Sequence, residues 1–174
     1  MIALFLDIDG VLNSSEDIGW HPDAPGKRLG ISGKLLDNLV WLLHQVPDLK
    51  VVISSVWRFN GIGAGSYLDL ALRHYTNGEV VLKRVVGRTP RPSEVEEFWY
   101  CTRGQEIEYF IERWASEPIT AMIVIDDNPV TPLEKYWVET DSRVGFTTEK
   151  AVEALKLLRK QITSNDGNIT EDAG

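Results

Sequence analysis

Phe5-Leu6-Asp7-Ile8-Asp9-Gly10-Val11-Leu12-Asn13 sets two carboxylates at the end of a short apolar run. Residues 2–6 are apolar without a break and include β-branched and aromatic members, which predicts a strand buried on both faces of a parallel sheet. Strand alternation aims Asp7 and Asp9 the same way, turns Ile8 into the core and leaves Gly10 to free the backbone from the sheet. Two unit charges about 4 Å apart repel by roughly 4 kcal/mol at an effective dielectric of about 20, a large share of a small domain's stability. A cation must sit beside the pair, or one Asp must keep a proton. An Asx turn that merely ends the strand is the competing reading. A calcium loop of the EF-hand type is disfavoured, because Gly10 is fourth rather than sixth and Ile18 stands where the bidentate Glu belongs.

The chain has 174 residues, enough for one domain with a sizeable core. Its 43% hydrophobic and 25% charged content is that of a globular chain. No apolar run approaches the roughly 20 residues a bilayer crossing needs, and the first one has no basic flank of the secretory kind. A cytoplasmic protein with no membrane partner is expected. The lone Cys101 suits a reducing compartment and carries no mark of a nucleophile. A net charge of −8, from 26 acidic and 18 basic residues, argues against tight nonspecific duplex binding. Residues 73–92 run the other way, with Arg73, Lys83, Arg84, Arg88 and Arg91 against Glu79 alone.

Outward from the opening stretch, residues 14–30 are rich in Gly, Pro, Asp and Ser, with Trp20 and His21 in the middle, and read as a loop placed to act as a flap. Ser32 predicts an N-cap for a core-facing helix ending before Pro47. Residues 49–53 predict a second buried strand, ending in Ser54-Ser55. The glycines at 61, 63 and 65 lack the strand-to-helix context of a dinucleotide site and read as a mobile loop. A helix is expected over 67–75, a strand or extended edge over 79–86, and an irregular segment over 89–102 that contains Trp99 and Tyr100. The spacing predicts a helix over 104–115 with Ile107, Phe110, Ile111 and Trp114 inward. The best buried strand, 120–125, ends in Asp126-Asp127, and a short strand at 137–139 precedes a final helix over 148–162. The expected organisation is one domain over 1–162 and a disordered acidic tail over 163–174.

Three strands separated by helices thus finish in Asp7 and Asp9, in Ser54, and in Asp126 and Asp127. In an open parallel sheet ligands bind outside the carboxyl ends of the strands, so these groups should converge. Crowded carboxylates imply a divalent cation, and all-oxygen ligands without a His or Cys cluster favour Mg²⁺ over Zn²⁺. A serine hydroxyl and a cation would complete a phosphoryl cradle. Arg103, just ahead of a helix, is the best-placed cation, with Arg58 and Arg88 as rivals.

Asp7-Ile8-Asp9-Gly10-Val11-Leu12-Asn13 resembles the first motif of the haloacid dehalogenase (HAD) superfamily of phosphatases. Val51-Val52-Ile53-Ser54 resembles its second motif, Arg103 stands where the third-motif cation belongs, and Ile123-Val124-Ile125-Asp126-Asp127 resembles the fourth. Within the superfamily, the run from Ile53 to Arg58, Arg103-Gly104-Gln105-Glu106-Ile107 and Ile125-Asp126-Asp127 look most like the HAD domains of RNA repair proteins. They are also similar to the phosphatase half of polynucleotide kinase-phosphatases.

The resemblance implies a Rossmann-like α/β fold, mainly parallel, with helices on both faces, a small flap and no large cap domain. It implies Asp7 as the nucleophile and Asp9 as the general acid and then base. Ser54 and Ser55 would meet the phosphoryl oxygens, and Arg103, Arg58 or Arg88 the phosphate charge. Mg²⁺ would be held by Asp7, a backbone carbonyl at Asp9, and Asp126 or Asp127. The implied activity is phosphomonoester hydrolysis through an aspartyl-phosphate, and the expected substrate is a nucleic-acid end such as a 3′-phosphate, or a nucleotide. A small molecule or phosphoprotein is the alternative substrate. A phosphate-binding module without turnover, with Trp20, Trp57 and Trp99 serving a partner, is the alternative class.

Overall fold

Strand β1, Ile2–Leu6, is the middle of a five-stranded, fully parallel sheet in the order β3-β2-β1-β4-β5. Its apolar residues need no alternation because both faces are covered, and Ala3 to Leu6 are inaccessible to solvent. The other strands are β2 at Leu49–Ile53, β3 at Val85–Arg88, β4 at Ala121–Asp126 and β5 at Trp137–Glu139. The computed structural model describes residues 1–23, 30–95 and 101–168. Trp99, Tyr100 and part of the expected flap lie outside them. Among the described residues there is no separate cap domain, and no helix is long and apolar enough to cross a membrane.

Strand parity divides the core in two. Leu4, Leu6, Val51, Ile53, Ile123 and Ile125 face the helices α1, Gly33–Gln45, and α5, Thr148–Asn168, together with the short α2, Tyr67–Arg73, and α3, Gly78–Leu82. Ala3, Phe5, Val52, Met122 and Val124 face Ile107 and Phe110 of α4, Arg103–Tyr109, and the wider π-type turn Phe110–Trp114 that continues it. Phe5 meets Phe110 edge-on, with ring centroids 5.6 Å apart.

Ser32 caps α1 as its sequence implies, its hydroxyl accepting from the Leu35 amide. Three elements differ from expectation. Residues 79–86 divide between α3 and β3, because Val81 is buried from a helix against the first core. The helix after Arg103 opens into the π turn, closed by Ala115 N–H donating to the Phe110 carbonyl, and the extra residue rotates Trp114 outward to 39% exposure. Helix α5 continues to Asn168 instead of ending at Ile162. The hydroxyls of Thr163 and Ser164 donate back to carbonyls one turn earlier, which satisfies these polar side chains within the helix. The rest of the expected tail lies outside the described residues.

Candidate active site

The sheet register lines up the polar strand ends. Leu6 is paired with Ile53 of β2 and with Ile125 of β4, so Asp7 follows level with Ser54 on one side and Asp126 on the other. Ile53 is paired with Arg88, which puts Thr89 level with Ser54. In-register residues of a parallel sheet share a face, and Asp7, Ser54 and Asp126 continue the parity of Phe5, Val52 and Val124. They therefore lie on the α4 side. That placement lets the first residue of α4, Arg103, reach them.

Helix α4 is fixed at that end by its own sequence. Thr102 and Gln105 form a reciprocal capping box, and the Thr102 hydroxyl donates to the Thr131 carbonyl at 2.8 Å. A Cβ on Gly104 would collide with the carbonyls of Val130 and Thr131, so glycine is what allows the helix to sit against the loop after β4. Arg103 then lies with Nη2 3.9 Å from Asp7 Oδ1 and Nε 3.4 Å from Asp126 Oδ2, its side chain 17% exposed.

Carboxylate oxygens of Asp7, Asp126 and Asp127 lie within 4.8 Å of one another. Burial, with Asp7 beside it, pushes Asp126 up to about 7, against the pull of Arg103. Burial also raises Asp7, opposed by Arg103, the Ser55 hydroxyl and the Ile8 amide. Asp127 is raised too, chiefly by burial. Asp126 Oδ1 accepts from the Asn128 amide at 2.9 Å, while its buried Oδ2 accepts no hydrogen bond. That oxygen is met by the Arg103 ion pair, and three carboxylates within 4.8 Å of one another form an all-oxygen donor set of the kind a hard divalent cation takes. The residues present fit Mg²⁺.

Asp9 stands apart from the acidic trio. Its Oδ1 accepts from Asn13 Nδ2 at 2.9 Å and from the Trp57 indole at 3.1 Å. Asn13 also accepts from the Gly10 amide and donates to the Gly30 carbonyl, so one side chain ties Asp9 to both ends of the segment that follows it. Gly10 has φ +75°, and a Cβ there would overlap the Asp127 carboxylate. A cleft of about 410 Å³ opens between these groups, lined by Asp7, Asp9, Asn13, Val56, Arg103 and Asp127.

Ser54 and Ser55 lie at the end of β2 as expected. The Ser55 hydroxyl sits beside Asp7, where it favours the charged carboxylate, and accepts from the Trp57 amide to cap the short 3₁₀ helix Val56–Asn60. The buried Ser54 Oγ, Thr89 Oγ1 and Arg103 Nη1 make no hydrogen bond.

The two rival arginines are corrected. Arg58 is fully enclosed, with its guanidinium bonded to the carbonyls of Ser54, Ser55 and Pro90 and to Glu106 Oε1 at 2.8 Å. Arg88 forms a two-pronged pair with Glu94 at 2.7 and 2.6 Å, holding that carboxyl down at about 2, and also stacks over Trp114. Neither reaches the cleft. Glu94 lies just past the cationic stretch, which is why a window ending at residue 92 misses it.

Glu106, Asn13 and Thr89 carry no role in the sequence reading, and Trp57 enters it only as a partner-surface residue of the alternative without turnover. Asn13 had a visible signal, a lone amide closing an apolar run four residues after Asp9. Glu106 had one as well, since it stands one turn after Arg103 on the same helix.

An open parallel sheet with an acidic trio, a serine and an arginine gathered at its carboxyl edge defines a HAD-type α/β protein. The family of the HAD domain in Swiss Army Knife RNA repair proteins matches residues 3–151, and the chain belongs to that family. No curated protein and no solved structure matches it.

Proposed function

We propose that this HAD-family chain is a Mg²⁺-dependent phosphomonoester hydrolase acting on a phosphorylated nucleic-acid end. The observation that carries the reading is the placement of Arg103 over Asp7 and Asp126, with Asp127 completing the acidic cluster. Asp7 attacks phosphorus, forming an oxygen–phosphorus bond as the bond to the leaving alkoxide breaks. Asp9 gives that alkoxide a proton, and its geometry suits the task. Both donors bind Oδ1, leaving Oδ2 to carry the proton. In the second step Asp9 takes a proton from water as the water displaces Asp7 from phosphorus.

Ser54 Oγ and Arg103 Nη1 offer donors to the phosphoryl oxygens, and Ser55 orients Asp7. Asp7, Asp126 and Asp127, with a backbone carbonyl at Asp9, would hold Mg²⁺, which supplies charge neutralisation at the phosphoryl group. A nucleic-acid end suits a cleft without a cap domain and accords with the repair proteins for which the family is described.

Asp7→Asn and Asp9→Asn are each expected to abolish Mg²⁺-dependent phosphate release from an aryl phosphate. Full activity in either variant would refute the assignment. Rates on 3′-phosphorylated oligonucleotides, 5′-phosphorylated ones and mononucleotides identify the end, and no preference for any of them over the aryl phosphate would remove the repair reading.

A further inference from the structure

The 3₁₀ helix Val56–Asn60 follows directly on Ser54 and Ser55 and turns two residues inward and two outward. Trp57 and Arg58 are buried, while Val56 is 51% and Phe59 47% exposed. Residues three apart eclipse in a 3₁₀ helix, and three residues advance it by about 6 Å. Val56 lines the cleft, so Phe59 stands one turn farther out on the same ridge. Val56 and Phe59 thus form a short exposed apolar ridge that begins at the cleft.

Two guanidiniums lie over the outer ring, so a base would stack on the part of the ring left exposed. Arg58 lies 4.9 Å and Arg91 6.0 Å from the Phe59 centroid. Arg58 is enclosed and matched by Glu106, but the Arg91 side chain is 32% exposed. Arg88 and Arg91 together face one carboxylate, Glu94, which leaves a positive surplus beside the ring in a chain of net charge −8. A half-exposed aromatic ring backed by guanidinium cations, one turn from a phosphoryl site, matches a nucleobase and the phosphate next to it.

We infer that Val56 and Phe59 form a stacking subsite for the base adjoining the scissile phosphate of a single-stranded end, with Arg91 answering the neighbouring phosphodiester. This inference rests on the proposed phosphatase reading and names the feature that would distinguish a polynucleotide end from a small phosphomonoester. A phosphopeptide offers no obligatory flat ring at that position and no second phosphate. A single strand offers both, and stacking is tolerant of which base is present.

The test compares the full-length protein and its Phe59→Ala, Phe59→Trp and Arg91→Ala variants on a 3′-phosphorylated single-stranded oligonucleotide and on an aryl phosphate. The preference for the oligonucleotide, as the ratio of kcat/KM values, should fall roughly tenfold in Phe59→Ala. It should return in Phe59→Trp, and it should lose its salt dependence in part in Arg91→Ala. An oligonucleotide whose terminal nucleotide is abasic should reproduce the Phe59→Ala ratio with the unaltered protein. An unchanged ratio in Phe59→Ala, or a phosphopeptide turned over faster than the oligonucleotide, would overturn the subsite.

Binding keeps the two readings separable. If no substrate is hydrolysed, the phosphatase assignment fails. Fluorescence anisotropy with the same labelled oligonucleotide still decides the subsite, by weaker binding in Phe59→Ala or by binding that does not change.

Discussion

The indole N–H of Trp57 donates to Oδ1 of Asp9 at 3.1 Å, across 48 residues of sequence. His21 packs edge-on against the same indole at 5.5 Å between centroids, so the segment after β1 leans on the residue that orients Asp9. Replacing Trp57 by Phe removes the donor and part of the buried indole. A hydrogen bond to a carboxylate is worth about 1.5–3 kcal/mol, so the melting temperature should fall, and kcat on an aryl phosphate, measured well below it, should fall at least roughly tenfold. An unaltered kcat would show that Asn13 alone holds Asp9.

Asp126 sets how the protein responds to pH when metal is withheld. An unfolded Asp titrates at about 3.9 and the folded Asp126 at about 7, so between these values the folded chain holds a proton that the unfolded chain releases. Stability of the metal-free protein therefore falls as pH rises through this window, by on the order of a few kcal/mol. Mg²⁺ competes with that proton and should remove most of the loss. Thermal melts should show a larger stabilisation by Mg²⁺ at pH 8 than at pH 5.5. Equal gains at both, or metal-free stability that climbs with pH, would contradict this placement of the charge.

Gly10 and Gly65 separate backbone strain from contact. Both have positive φ, +75° and +81°, but a Cβ on Gly65 meets nothing within 4 Å whereas one on Gly10 overlaps the Asp127 carboxylate. Gly65→Ala should cost about 1–2 kcal/mol from the left-handed backbone alone. Gly10→Ala should cost more in urea melts and should also weaken Mg²⁺ binding, since Asp127 must move. Equal costs, with Mg²⁺ affinity preserved, would mean that the carboxylate yields without consequence.

What could be read in the sequence was whatever strand parity and chain order encode. Asp7, Ser54 and Asp126 each end an apolar run, and three such runs in a parallel sheet bring their ends to one level. Nothing in one sequence says which arginine sits beside them. Arg58 follows shortly after the second strand and Arg103 opens α4, and the difference lies in tertiary placement. The 3₁₀ helix buries Arg58 against Glu106, while the contact of Gly104 with the Val130 and Thr131 carbonyls sets Arg103 over the acids. Similarly, the bond from Trp57 to Asp9 joins residues 48 apart and has no local signature.

Arg58 and Arg103 should fail in opposite ways. Glu106 lies between them, its Oε1 bonded to Arg58 at 2.8 Å and its Oε2 3.8 Å from Arg103 Nη1, and burial raises its pKa against the pull of both cations. Removing the Arg58 side chain leaves Glu106 Oε1 and the Ser54 and Pro90 carbonyls without their guanidinium donor, a change that costs about 3–5 kcal/mol in comparable buried pairs. Arg58→Ala should therefore lower the urea midpoint severely and lose activity only as a result of unfolding. Arg103 borders the cleft and faces Asp7 and Asp126, so its removal takes a positive charge from the phosphoryl site. Arg103→Ala should remain folded in Mg²⁺ and lose roughly 100-fold or more in kcat, the scale seen when one donor to a developing oxyanion is deleted. Urea melts run beside phosphate-release assays distinguish the two. A stable Arg58→Ala with lost activity would return that side chain to the list of phosphate ligands.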